Sequence, residues 1–269
     1  MTRNGNSVRT LVIGNSHTYY AIKPDAIGDS VFNIANVSQN PEYDYFLLTK
    51  FETRLTNLNN LIVIVDEDNI FEPPIEENKE WFRAIYYKIY YGCDKHGNFS
   101  KYNFEISNFP RFTLKIQKLF NSFFTNSSSH DCDSLGWGCI FTAPERFDFT
   151  EMHNKAISTE KSHRCKNWAN VDYNMQYLNK IGDWCKSHNV NIIVITTPMW
   201  SDYVEMISSK QLTVMYDVIN QFTRKYNAIY KDYLCDPRFT GRDFRDPDHL
   251  SDLGAEKFSL IIKQDFPKL

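Results

Sequence analysis

Short, almost wholly apolar runs recur at both ends of this chain, separated by stretches with helical spacing, and that alternation restricts its fold more than any other feature. Thr10-Leu11-Val12-Ile13 is closed by Gly14, Val31-Phe32-Asn33-Ile34-Ala35 by polar residues, and Leu61 to Val65 by Asp66-Glu67-Asp68. Asn191 to Ile195 runs into Thr196-Thr197-Pro198, and Ala228-Ile229-Tyr230 reads as a weaker strand. Between them, Tyr43, Phe46, Leu47 and Phe51 recur at helical spacing after Pro41, as do Val171, Met175, Leu178, Ile181 and Cys185. Leu212, Met215, Val218, Ile219 and Phe222 mark another helix, and Phe258, Ile261 and Ile262 share one face of a last helix after Ser251. Strands that are apolar throughout must be covered on both faces, so the alternation implies an α/β protein built on a mainly parallel sheet.

The rhythm breaks between about residues 71 and 170. That segment is rich in aromatics, among them Trp81, Phe82, Tyr86, Tyr87, Tyr90, Tyr91, Phe120, Phe123 and Phe124. It reads as a helical cap inserted into a single domain over 1–269. Packing of the insertion onto the sheet accounts for these aromatics more readily than a substrate-lining role.

Composition removes several function classes. With 30 Lys+Arg against 33 Asp+Glu in 269 residues, the chain has no broad cationic field to hold nucleic acid. Its apolar runs are strand-sized, so no membrane span is expected. The first residues run into a strand without a secretory signal pattern, and the expectation is a cytoplasmic protein or a domain excised from a longer exported or membrane protein. Six cysteines include no Cys-x-x-Cys pair. His130, Cys132, Cys139, His153, His163 and Cys165 form the one tempting metal cluster, but their spacing fits no zinc motif, so no metal is expected. Oligomeric state leaves no trace in the sequence.

In open α/β sheets ligands gather outside the carboxyl ends of the strands, which directs attention to Gly14-Asn15-Ser16-His17 after the first strand. A serine there projects into the crevice, with its own N–H available to an oxyanion if a helix starts at that turn. Serine needs a base, and Asp246-Pro247-Asp248-His249 before the last helix supplies one, with Asp246 three residues from His249. Gly28-Asp29-Ser30 spells a known serine-hydrolase signature but precedes its strand, which puts it at the wrong edge of the sheet. Other readings stand beside these. Ser16 is also a common type of helix cap, His249 and Asp246 fit a turn before a helix, and Asp243 and Asp248 read best as solvated turn residues. Asn15 and His17 are candidates to line the cleft.

The block Gly14-Asn15-Ser16-His17 with Asp246-x-x-His249 resembles the SGNH/GDSL hydrolase superfamily. The run from Asp236-Pro237-Arg238-Phe239 through Phe244, His249-Leu250, Gly254-Ala255 and Phe258 is similar to the end of bacterial members among surface-polysaccharide proteins. The resemblance covers the sheet elements and leaves out the middle segment. It implies a three-layer α/β/α fold with a flavodoxin-like sheet, and acyl-ester chemistry without metal or organic cofactor. Ser16 would be the nucleophile, His249 the base and Asp246 its partner. The substrate would be a small-molecule or carbohydrate acyl ester, with acetyl the expected acyl group, and the acceptor water or a sugar hydroxyl. Asn15 stands where the family has Asp. The family's oxyanion donors, a glycine N–H after the second strand and an asparagine after the third, fall here on Asn36-Val37-Ser38-Gln39 and on Asn69, so Ser16, Asn36, Ser38 and Asn69 are the candidates. The rival expectation is a catalytically silent scaffold of the same fold that binds carbohydrate or a partner protein.

Overall fold

In the computed structural model, which describes residues 7–93 and 131–269, five strands form one sheet: β1 (Thr10–Ile13), β2 (Val31–Asn33), β3 (Asn60–Ile64), β4 (Asn191–Thr196) and β5 (Ile229–Asp232). All pairings are parallel and the order is β2-β1-β3-β4-β5. The chain therefore has the α/β fold expected of it, with the flavodoxin-like strand order. This order reverses direction beside β1, and a crevice opens there between the carboxyl ends of β1 and β3.

Strands β1, β3 and β4 are held by burial on both faces, whereas β5 at the sheet edge is mostly exposed. Val12, Ile62, Ile193 and Ile195 share one cluster with Ala21, Ile22, Ile27, Phe258, Ile261 and Ile262. These come from α1 (Ser16–Ala21) with its C-cap, α2 (Pro24–Ile27) and α9 (Asp252–Asp265), which pack on one another. Residues one step along the strands point the other way, and Leu11, Ile13, Leu61 and Val63 are as fully buried. On that side α3 (Pro41–Lys50), α6 (Ala169–His188) and α8 (Ser209–Tyr226) pack together. Burying one such Leu or Ile side chain stabilises by about 1.5–3 kcal/mol. Strand β2 is shorter than the apolar run predicts. Asn33 ends it by donating from Nδ2 to Thr18 O and Ile22 O and accepting the Ala35 N–H, which ties the strand end to α1.

The chain divides into two compact units, one of Met1–Glu72 with Cys132–Leu269 and one of Pro73–Asp131. Residues 132–170, expected within an insertion of about 71–170, thus fall in the sheet unit, for a physical reason. Leu135 O accepts the Asn33 N–H, Trp137 donates its indole N–H to Tyr20 O, and Gly136 has φ +93° where a Cβ would lie 1.8 Å from Asn33 O. Helix α5 (Phe149–His163) then packs on α7 (Ser201–Met206). In the second unit a 3-10 turn, Trp81–Arg83, leads into α4 (Ala84–Tyr91), which Gly92 ends in the left-handed conformation. Phe82 and Tyr87 are buried there and Tyr90 is exposed. Phe120, Phe123, Phe124 and His130 lie outside the described residues. Among the described residues no helix is long and apolar enough to cross a membrane.

Candidate active site

The turn after β1 is built around Gly14, whose φ of +135° disfavours any side chain; a Cβ would sit 2.3 Å from Ile64 Cγ2. Its N–H donates to Asp44 Oδ1 at 2.9 Å, which fixes the turn to α3. Burial pushes the Asp44 carboxyl up to about 7, against the lowering effect of bonds from Gln39 and Gly14. Asn15 then caps α1 by accepting the His17 N–H at 3.0 Å, so Ser16 is the first helical residue and its N–H has no intrahelical acceptor. A helix does begin here, as the oxyanion reading requires, but Asn15 and not Ser16 is its cap.

Ser16 meets the far end of the chain. His249 Nε2 lies 2.9 Å from Ser16 Oγ, and His249 Nδ1 lies 2.9 Å from Asp246 Oδ1. Asp246 Oδ1 also accepts the His249 N–H at 2.9 Å, so one carboxylate oxygen holds both the backbone and the ring. Ser251 caps α9 just beyond, accepting the Gly254 N–H, which sets where the preceding turn must end. A serine–imidazole–carboxylate relay at these distances can deprotonate Ser16 and return the proton to a departing group.

A second carboxylate faces the same ring. Asp248, expected as a solvated turn residue, is buried, with Oδ1 3.5 Å from His249 Nδ1. Proline at 247 and the Trp200 N–H to Pro247 O bond turn Asp248 inward. Burial draws the His249 pKa down, but Asp248 and Asp246 outweigh it and push it up to about 9. Asp243, by contrast, closes a capping box with Thr240 and pairs with Lys257 at 2.7 Å.

Asn15 and His17 do not line a cleft; each is 2% exposed. His17 Nδ1 lies 2.7 Å from Asp66 Oδ2, and its Nε2 3.2 Å from Asp248 Oδ2. Asn15 Nδ2 donates to Asp66 Oδ2 as well. Burial opposes charge on His17, yet Asp66 and Asp248 hold its pKa well above the usual value. Asp66 is correspondingly lowered, against burial, chiefly by the charge of His17. The acidic loop after β3 therefore spends Asp66 on His17.

The oxyanion candidates separate. Asn69 is committed to its own loop, donating from Nδ2 to Ile64 O at 3.0 Å and accepting the Asp66 N–H at 3.1 Å. Asn36 is carried to the Ser16 turn by its N–H, which donates to Gly14 O at 3.1 Å, while its Oδ1 accepts the Val37 N–H. Ser38 occupies the left-handed region, φ 56°, in the turn that follows. Gly28-Asp29-Ser30 lies at the amino edge of the sheet, where Ser30 O accepts the Arg9 and Thr10 N–H groups.

No family model matches the sequence, and no curated protein matches it. Among solved structures the chain is similar to a proposed acylhydrolase from Bacteroides fragilis, 10% identical, covering 97% of this chain and 86% of that one with a TM-score of 0.45. It is similar also to a GDSL-like lipase from Bacteroides thetaiotaomicron, 9% identical, covering 97% and 89% with a TM-score of 0.45.

Sequence reasoning missed Glu67 and Tyr203, and it set His163 among other partners. His163 Nδ1 lies 3.7 Å from Asp248 Oδ2, and Tyr203 donates its hydroxyl to Glu67 Oε1 at 2.6 Å. The one signal available was His163 itself, which the sequence grouped with cysteines. Among the described residues no three members of that group come together, and His163 joins His17 and Glu67 instead. Tyr20 and Phe141 stack with ring centres 3.8 Å apart, and each meets the His249 ring edge-on, at 5.6 and 5.4 Å.

Proposed function

We propose that this chain is a serine esterase of the SGNH type, acting on a small acyl ester through an acyl-serine at Ser16. The observation that carries the reading is the Ser16–His249–Asp246 relay, 2.9 Å at each link, assembled from segments more than two hundred residues apart. Ser16 Oγ attacks the ester carbonyl carbon while its proton passes to His249 Nε2. The tetrahedral oxyanion collapses, the bond to the alcohol breaks, and His249 returns the proton to the leaving oxygen. An incoming hydroxyl then gives its proton to His249, attacks the acyl carbon and frees Ser16. Asp246 holds the ring and balances the imidazolium. The Ser16 N–H and the Asn36 side chain are the oxyanion donors in this reading, with Ser38 nearby in the same turn.

The acyl group is acetyl and its donor or acceptor a carbohydrate hydroxyl, so the chemistry is hydrolysis or O-acetyl transfer. The resemblance of the Asp236 to Phe258 run supports the carbohydrate, and half-buried Phe141, stacked on buried Tyr20 beside His249, supplies an aromatic surface for a sugar.

Hydrolysis of a chromogenic acetyl ester by the wild type, Ser16→Ala and Ser30→Ala tests the proposal. Activity is expected in the wild type and Ser30→Ala and lost in Ser16→Ala; an inactive wild type, or activity that survives Ser16→Ala, sinks it. One observation favours a second reading, a silent scaffold that binds carbohydrate or protein: the amide of Asn69 is already used inside its own loop. An inactive wild type that still binds acetylated oligosaccharide is the outcome that reading requires.

A further inference from the structure

Behind the relay, three elements bring nitrogen and oxygen ligands to one point. His17 comes from α1, Glu67 from the loop after β3 and His163 from the end of α5, and one ligand atom of each lies within 4.8 Å of the others. Asp248 lies beside them, with Oδ2 3.2 Å from His17 Nε2 and 3.7 Å from His163 Nδ1, and groups with His17 and His249 instead; Glu67 Oε1 is 3.9 Å from His163 Nδ1. Donors around a tetrahedral zinc-like ion, at bonds of about 2.0–2.1 Å, stand about 3.4 Å apart. The separations of 3.2, 3.7 and 3.9 Å bracket that spacing.

An independent observation points to a missing partner. Glu67 is fully buried, and its Oε2 has no hydrogen-bond partner. Its other oxygen is already satisfied by Tyr203, so the bare oxygen is the one atom of the cluster whose desolvation nothing offsets. The surroundings also hold the ligands in place. Gln211 donates to both Glu67 O and His163 O, pinning the two backbones together. Asp66 takes the far nitrogen of His17, the arrangement that orients a ligating imidazole and leaves Nε2 for the ion.

We propose that His17, His163 and Glu67 form a binding site for a divalent transition-metal cation beside Asp248, with Zn2+ the best fit to two imidazoles and a carboxylate. The Glu67 carboxylate and the neighbouring Asp248 offset the charge of the ion, with both imidazoles neutral. The site is separate from Ser16, and the assignment stands whether or not the chain hydrolyses esters. Asp248 borders both this cluster and His249, so the ion would fix the position of the turn that carries the relay.

The test uses the full chain, freed of metal with a chelator, loaded with zinc and passed through gel filtration before its metal content is measured. About one zinc per chain is expected in the wild type and in Ser16→Ala. His163→Gln and Glu67→Gln should lose at least tenfold in affinity while keeping a folded far-ultraviolet spectrum. Cobalt loading of the wild type needs no mutation: visible bands of tetrahedral geometry without a thiolate charge-transfer band are expected. A chain that retains no zinc, a folded His163→Gln that binds as tightly as the wild type, or a thiolate band placing the ion on cysteine overturns the proposal.

Discussion

His17 Nδ1 lies 2.7 Å from Asp66 Oδ2, a buried link that joins the turn after β1 to the loop after β3 across the point where the sheet order reverses. Neighbouring parallel strands bring the two loops side by side, and the pair then fixes how α1 leaves β1. Ser16 precedes His17 by one residue, so the link that buries His17 leaves Ser16 on the crevice side, half-buried and within reach of His249.

Two carboxylates near one imidazole nitrogen predict an uneven mutational response. His249→Ala should lower kcat by about four orders of magnitude or more. Asp246→Asn should cost only about 10–100-fold, against the ~10⁴-fold of a triad with a single carboxylate, because Asp248 Oδ1 is 3.5 Å from the same nitrogen. Steady-state kinetics of both variants check this; equal losses would mean that Asp248 gives His249 no support.

The same pair sets a pH dependence for protein freed of divalent cations. His249 must be neutral to take the Ser16 proton, and its pKa is pushed up to about 9 by Asp248 and Asp246 against burial. The kcat/KM should therefore rise with pH through neutrality and level off above about 9, falling about tenfold per unit on the acid side. A plateau already reached at pH 7 would contradict this electrostatic account.

Asp44 predicts a stability effect away from the relay. Its carboxyl is raised to about 7 by burial, so between about pH 4 and 7 the folded chain holds a proton that the unfolded chain releases. Stability must fall as pH rises through that window and stay level above it. Asp44→Asn keeps an acceptor for the Gly14 N–H and removes the titration. The variant should be more stable than the wild type at pH 8 by up to about 4 kcal/mol, melting at a higher temperature, and the two should converge near pH 4. Parallel melting curves across the range would disprove the assignment.

Gly14→Ala should destabilise by about 2–4 kcal/mol, since φ +135° and the side chains of Ile64 and Thr18 both exclude a methyl group. Denaturant unfolding of the variant measures this, and a change under 1 kcal/mol would show that the turn can relax.

The sequence by itself determined the sheet and the relay. Apolar runs in a periodic pattern specify buried strands, and β1, β3 and β4 fall where that pattern places them, whereas β5 (Ile229–Asp232) runs past the weak run at 228–230 and is mostly exposed. Ser16 and the Asp246-x-x-His249 turn were legible for the same local reason: a strand exit and a helix entry are written in neighbouring residues. Tertiary structure decided what depends on residues far apart in the chain. Asp248 has the composition of a solvated turn, and only the closure of Pro247 onto Trp200 buries it against His17 and His249. Asn69 matched the position of an oxyanion donor, but the β3 loop claimed its amide first. Glu67 and His163 carry no shared motif, because their meeting is set by how α5 lies along α7 and by Gln211 bridging the two backbones. Local patterns fix which elements form; which polar groups are buried together, and so which charges must be offset, follows only from how those elements pack.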